Sequence, residues 1–286
     1  MKQAALIAFA TTILTATTAH AGMVSVSNYP LALLSKAVTQ GKNDASVLLE
    51  AGDVGHHGSL SPSKAKLIAE SDFVVWFGKD LEQNLVKSLQ DAPNSISLLS
   101  FNAFNRLPLR ELDGTPKQGT QDVHLWLDPN NAKAIVRALA VIHSHAAPEH
   151  KAFYQQNAQD FAIKMDQAVA KVTKPKPLAY WAYHDAYQYI EKSGSLRFAG
   201  ALTPDHHLAP KASQLRLLNE NRPTKDNGDK TMCLVSQGKV SDGIKNKLGQ
   251  VIVSIQQEDM SGGTDDFVES WLKLVNELQA CATATQ

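Results

Sequence analysis

The chain holds only two cysteines, Cys233 and Cys281, among 286 residues, and no compact HExxH or CxxC pattern announces a metal or redox site. Charge of one sign is missing as well, because 28 Lys plus Arg face 28 Asp plus Glu. With no basic block, nucleic acid is not expected as a partner. No apolar run approaches the roughly 20 residues of a transmembrane helix. The nearest is Ala4 to Ala16, which is Ala-rich, broken by Thr and preceded by Lys2. It leads to the small-x-small sequence Ala19-His20-Ala21, so residues 1–21 read as a cleavable export signal rather than a core helix. No Cys stands at the cleavage site to carry a lipid anchor. An exported chain meets an oxidising compartment, where two cysteines read as a disulfide. Closing a loop of about 49 residues would contribute roughly 4 kcal/mol and staple the last helix to a strand. A cysteine-containing metal site would instead need both thiolates near each other and near histidine.

What is present is a strand-then-helix rhythm, the mark of parallel sheets covered by helices. Apolar runs at 23–26, 46–49, 73–77 and 96–99 read as strands. Helices open at Asn28 and Pro30, running towards Val38, at Ser61-Pro62, and over 79–89. Residues 105–122 lack periodicity, carry Pro108, Gly114, Pro116 and Gly119, and read as a loop excursion before a helix at 131–145. From Pro148 to about Val172, Phe153, Ala158, Phe161, Met165 and Val169 recur at helical steps. Lys174-Pro175-Lys176-Pro177 ends that helix. Strands at 178–182, 196–199, 231–235 and 251–255 then alternate with helices at 186–192, 211–221, 241–248 and 265–280. The expected fold class is α/β, with two lobes, each a parallel-type sheet covered by helices, joined by one long rigid helix. The expected boundaries are a signal peptide at 1–21, a first lobe at 22–147, a linking helix at 148–173 and a second lobe at 174–286. A cleft between such lobes gathers strand ends from both.

The histidines divide by position. His143, His145 and His150 sit on or beside polar helix turns and read as solvated. His206-His207 read as a solvated loop pair, with a minor surface metal site as the alternative. By contrast, His56, His57, His124 and His184 each stand at a strand end or in the loop that follows, where α/β proteins place ligand residues. Three neutral imidazoles are a preferred zinc donor set and leave a fourth tetrahedral position for a carboxylate, another His or water. Separate hydrogen-bonded histidines are the bland alternative.

At these residues the sequence resembles a known family. Gly55-His56-His57-Gly58-Ser59-Leu60-Ser61-Pro62-Ser63, followed by 69–78, is similar to the first metal-binding segment of the receptors of ABC-type metal importers. Asp122-Val123-His124-Leu125-Trp126-Leu127-Asp128-Pro129 resembles the second segment, and Tyr183-His184-Asp185-Ala186-Tyr187 the third. The likeness is closest to the zinc-type, ZnuA-like members of the cluster A-I family, and it runs along nearly the whole chain after residue 21. It implies a periplasmic, monomeric binding protein with no catalysis, carrying Zn(II) on His56, His124 and His184 to the membrane permease of an ABC importer. It also implies a Cys233–Cys281 disulfide, which zinc-type receptors of Gram-negative bacteria carry there. Manganese receptors of the family have Glu where this chain has His184, and oxygen donors suit manganese as imidazoles suit zinc. Two departures matter. Gly55 stands where the nearest type can carry Glu, and the segment 255–263 breaks the usual Asp-containing loop, leaving Asp259, His57 or water for the fourth position. The loop at 109–120 has no His, so the family's auxiliary site is not expected. Asp185 and Asp128, beside ligands, are candidates to orient them or are ordinary helix-start residues. An exported zinc chaperone or adhesin, and a zinc hydrolase, are the rival readings; a hydrolase would need a general base and a substrate pocket.

Overall fold

The computed structural model describes residues 22–53, 60–173, 176–204, 208–225, 228–229 and 231–285. The expected export signal and His56, His57, His206 and His207 lie outside the described residues. The first lobe holds strands β1 (Val24–Val26), β2 (Ser46–Val47), β3 (Phe73–Trp76) and β4 (Ser95–Ser97), in the order β2-β1-β3-β4. The second holds β5 (Leu178–His184) and β6 (Leu196–Thr203), a small antiparallel ribbon of β7 (Thr224–Lys225) and β8 (Gly228–Asp229), then β9 (Met232–Ser236) and β10 (Val251–Ile255). Its main sheet runs β10-β9-β5-β6. All pairings within both main sheets are parallel. Parallel neighbours need long crossovers, and these place helices over both faces.

The helices are α1 (Tyr29–Thr39), α2 (Pro62–Glu70), α3 (Val86–Leu89), α4 (Pro129–Ala146), α5 (Lys151–Lys171), α6 (Glu191–Gly194), α7 (Ala212–Glu220), α8 (Asp242–Leu248) and α9 (Phe267–Thr283). Their starts follow local chemistry. Asn28, Ser61 and Asp128 each accept a hydrogen bond from a backbone N–H of the first turn, and a proline follows at an early helical position. The 21-residue α5 is fastened to both lobes. Its Asn157 Nδ2 donates to the carbonyl of Val38 at the end of α1, and its Phe161 ring lies 5.8 Å from Phe267 of α9. One apolar core accordingly runs through β1, α1, α4, α5, β5 and α9. Among the described residues, no helix is long and apolar enough to cross a membrane.

The disulfide joins Cys233 on β9 to Cys281 on α9, tying the last helix to a central strand of its own sheet. Elsewhere the sequence expectation and the structure differ. The expected helix over 79–89 is a short 3-10 turn at Gln83–Leu85 followed by the single turn of α3. The reason is Glu82, fully buried, whose carboxylate accepts from Ser27 Oγ, Asn28 Nδ2 and the Gly78 N–H. Burial pushes its carboxyl up to about 7, against those hydrogen bonds. The chain here is shaped to present one side chain, not to extend a helix. The expected helix over 186–192 is likewise a 3-10 turn at Gln188–Ile190 plus α6.

His143 is a clearer correction. It is not solvated but fully buried on α4, its Nε2 2.8 Å from Ser35 Oγ of α1. It falls on the stripe of Ala132, Val136 and Leu139, which helical spacing turns to the core. Burial holds its pKa down to about 4, with Asp44 opposing. A histidine held neutral in the fold contributes stability that is present above its unfolded value near 6.5 and is lost as pH falls towards 4. At most about 3 kcal/mol is involved, from the difference between those two pKa values. Denaturant unfolding should therefore lose midpoint between pH 7 and 4.5, and the variant Ser35→Ala/His143→Leu should lose less over the same range. Equal losses in the two proteins would remove His143 from the acid sensitivity.

Candidate metal centre

His124 follows the 105–122 excursion and leads into the 3-10 turn Leu125–Leu127 and the cap of α4. That placement buries it to 2 % exposure. Its ring Nδ1 lies 2.7 Å from Asp122 Oδ1, which also accepts the backbone N–H of His124. A proton on Nδ1 facing the carboxylate leaves Nε2 as the lone-pair nitrogen, the arrangement found on metal-binding imidazoles. Asp122 is itself held from the second lobe. The Gln188 amide, in the orientation its surroundings require, donates to Asp122 Oδ2 at 3.0 Å, and Tyr189 OH donates to the Asp122 carbonyl.

His184 is the last residue of β5. Its Nδ1 lies 3.1 Å from the carbonyl of Pro204, so Nε2 again becomes the lone-pair nitrogen. The rings of His124 and His184 stand edge to face, with centroids 5.6 Å apart. The third member of the cluster is Glu258, in the loop after β10. Its Oε1 is 3.5 Å from His124 Nε2, and its Oε2 accepts from Gln237 Nε2 at 2.9 Å. Its backbone carbonyl accepts the indole N–H of Trp126 at 2.8 Å. One ligand atom from each of His124, His184 and Glu258 lies within 4.8 Å of the others. Donors about 2.0–2.1 Å from a tetrahedral zinc stand roughly 3.3 Å apart, close to the 3.5 Å between His124 Nε2 and Glu258 Oε1. A cleft of about 610 Å³, lined by Lys79, Gln83, Thr120 and Gln121 among others, opens in front of the two histidines.

The electrostatics favour a cation. Burial opposes charge on His124, but the Asp122 and Glu258 carboxylates outweigh it and push its pKa up to about 10. In the metal-free protein a proton sits on His124 between two acids.

Of the residues expected from the sequence, the structure brings His124 and His184 together. His56 lies outside the described residues. Asp259 is buried, but both its oxygens serve backbone: Oδ2 accepts the Gly52 N–H at 2.6 Å and Oδ1 the Ser261 N–H at 2.9 Å. It ties the stem of the segment carrying His56 to the Glu258 loop, and the carboxylate beside the histidines belongs to its neighbour. Asp128 caps α4. Asp185 turns from His184 to Arg110, with Nε–Oδ2 at 2.8 Å and Nη2–Oδ1 at 2.7 Å. The orienting acid is Asp122 instead. Asp122 and Glu258 are not among the expected ligands or orienting acids, although one stands two residues before His124 and the other beside Asp259.

The chain is similar to known proteins along most of its length. The chain is 26% identical to the high-affinity zinc uptake system protein ZnuA of Brucella abortus, over 90% of this chain and 91% of that one. The ZnuA of Haemophilus ducreyi is also 26% identical, over 72% of this chain and 77% of that protein. A crystal structure of ZnuA superposes with a TM-score of 0.73 at 17% identity, covering 92% of this chain and 99% of that one. The periplasmic zinc-binding protein TroA of Treponema pallidum gives 0.69 at 13% identity, over 91% and 99%. At these identities the structural likenesses establish the two-lobed fold. Residues 24–281 match the model of the ZnuA family, zinc-uptake complex component A, periplasmic, and the chain belongs to that family of substrate-binding receptors.

Proposed function

We propose that this protein is the exported zinc receptor of an ABC importer, capturing Zn(II) on His124, His184 and Glu258, with His56 completing the set, and handing it to the membrane permease. The observation that carries the reading is the convergence of two imidazoles and a carboxylate, each from a different loop end, in one buried spot. Export by removal of residues 1–21, a monomer working without chemistry, and lobes at 22–147 and 174–286 about a linking helix at 148–173 belong to the same proposal. Imidazoles with a single acid suit zinc better than manganese or calcium. Cys233 and Cys281 are bonded to each other, which leaves no thiolate for a metal.

Binding must expel a proton, because a ligating imidazole needs its lone pair and His124 is protonated below about 10 in the metal-free protein. The exchange sets a pH dependence of definite sign. Between pH 5.5 and 8.5 the zinc association constant should rise about tenfold per pH unit for one released proton. Calorimetry in buffers of different ionisation enthalpy should count that proton directly. A purified protein that takes up no zinc at neutral pH sinks the receptor reading. Binding without proton release would remove His124 from the ligand set.

A further inference from the structure

We propose that Arg110 is a positioning residue for the metal site, clamping Asp185, the residue after His184, to the excursion that leads into His124. By fixing the gap between the two histidines it sets how fast zinc leaves. The inference rests on the zinc-receptor reading above and names a device that operates within it.

Arg110 lies in the 105–122 excursion, yet its guanidinium is carried into the second lobe, where the side chain is only 8% exposed. Its planar fork bonds Asp185 at two points. The Nη2 that reaches Asp185 also reaches Glu191 Oε1 at 2.7 Å, on the first turn of α6. The guanidinium carbon stacks 4.1 Å from the centre of the Phe198 ring on β6, and Tyr180 OH of β5 donates to the same Glu191 oxygen. A bidentate, stacked guanidinium has one geometry, unlike the point charge of an ammonium. The backbone on either side is pinned too. Leu107 N–H donates to Tyr189 OH, and the Leu112 carbonyl accepts from Ala201 N–H. The second contact adjoins Gly200, whose φ of +128° strains any side chain and whose Cβ position would run into Leu218 Cδ2 and lie 3.1 Å from that carbonyl.

The path to the metal ligands is short on both sides. Asp185 adjoins His184, the end residue of β5. At the other end of the excursion, the Asp122 N–H donates to the Leu107 carbonyl, and Asp122 orients the His124 ring. Arg110 touches neither imidazole. It acts on their spacing through the backbone that carries them, and residues of this kind around a metal change affinity by roughly 10–100-fold when removed. Loosening the clamp lets His184 withdraw from an ion still held by His124 and Glu258, so the change should fall on departure rather than arrival.

Arg110→Lys keeps a charge beside Asp185 and Glu191 while losing the fork, and Asp185→Asn removes the other half of the clamp. Zinc dissociation into excess chelator, followed at a temperature where every variant is fully folded, should quicken about tenfold or more in each. The association rate should stay within about twofold, and the double variant should be no faster than the worse single one. Thermal midpoints of the metal-free proteins are measured alongside, since a merely structural role lowers them without quickening release. Release at the wild-type rate in both single variants, or effects that simply add in the double, would overturn the inference. If wild-type protein binds no zinc, it is the receptor reading that has failed.

Discussion

Glu258→Ala should weaken zinc binding by about a hundredfold or more, whereas Asp259→Ala should cost less than about tenfold. The two acids are adjacent in sequence and both buried, yet they face different chemistry. Glu258 aims an oxygen at His124 Nε2 from 3.5 Å and is steadied by Gln237. Removing it takes away a donor atom and the negative charge that favours a cation there, a larger loss than the 10–100-fold typical of groups one step further out. The carboxylate of Asp259 is spent on the N–H groups of Gly52 and Ser261. Its removal leaves two backbone donors to find water, which loosens the loop but deletes no ligand. Glu258→Gln separates charge from shape, since it retains an oxygen while losing the charge, and should fall between the two. Competition titration against a chelator of known affinity gives all three values. An order in which Asp259→Ala is the worst would return the ligand role to Asp259.

Loss of the disulfide should lower the thermal midpoint of the metal-free protein by roughly 10 °C. The bridge closes a span of 48 residues from the central strand β9 to α9. Chain entropy gives such a loop about 4 kcal/mol of stabilisation through the unfolded state. At roughly 2–4 °C per kcal/mol for a chain of this size, the shift follows. Both cysteines are buried, so Cys233→Ala/Cys281→Ala also removes packed sulfur and should fall slightly below the reduced wild type. Zinc affinity should change little, because Cys233 registers with Tyr180, four residues before His184 on β5, and Cys281 lies on α9. Scanning calorimetry of oxidised, reduced and double-alanine protein measures the effect. Midpoints within about 2 °C of one another would mean that the folded lobe does not depend on the closed loop.

The fold was legible in the sequence wherever its cause was local. Asn28, Ser61 and Asp128 with their following prolines mark helix starts, and the strand-helix rhythm announces two parallel sheets. The single-turn helix α3 was not legible, because Glu82 answers to Ser27 and Asn28, more than fifty residues away. The burial of His143 is legible in helical spacing, through its phase with Val136 and Leu139, while its polarity alone points to solvent. At the site, His124 and His184 could be found from strand ends. The choice of Glu258 over Asp259 could not, since it depends on which way a three-dimensional loop turns two neighbouring side chains. Arg110 was hidden in a stretch that reads as irregular chain, its partners 75 and 81 residues further on.

Because α5 shares one apolar core with α1 and α4 on one side and α9 on the other, the empty and the loaded receptor are expected to keep almost the same outline. A membrane partner then has no large closure by which to tell them apart. Occupancy has to be read locally, from side chains and turns at the mouth of the cleft. Discrimination against empty receptor, which competes for the same docking site, becomes a matter of a few contacts. The stiffness that keeps two distant histidines in register for one ion thus moves the signal of capture to a small area of surface.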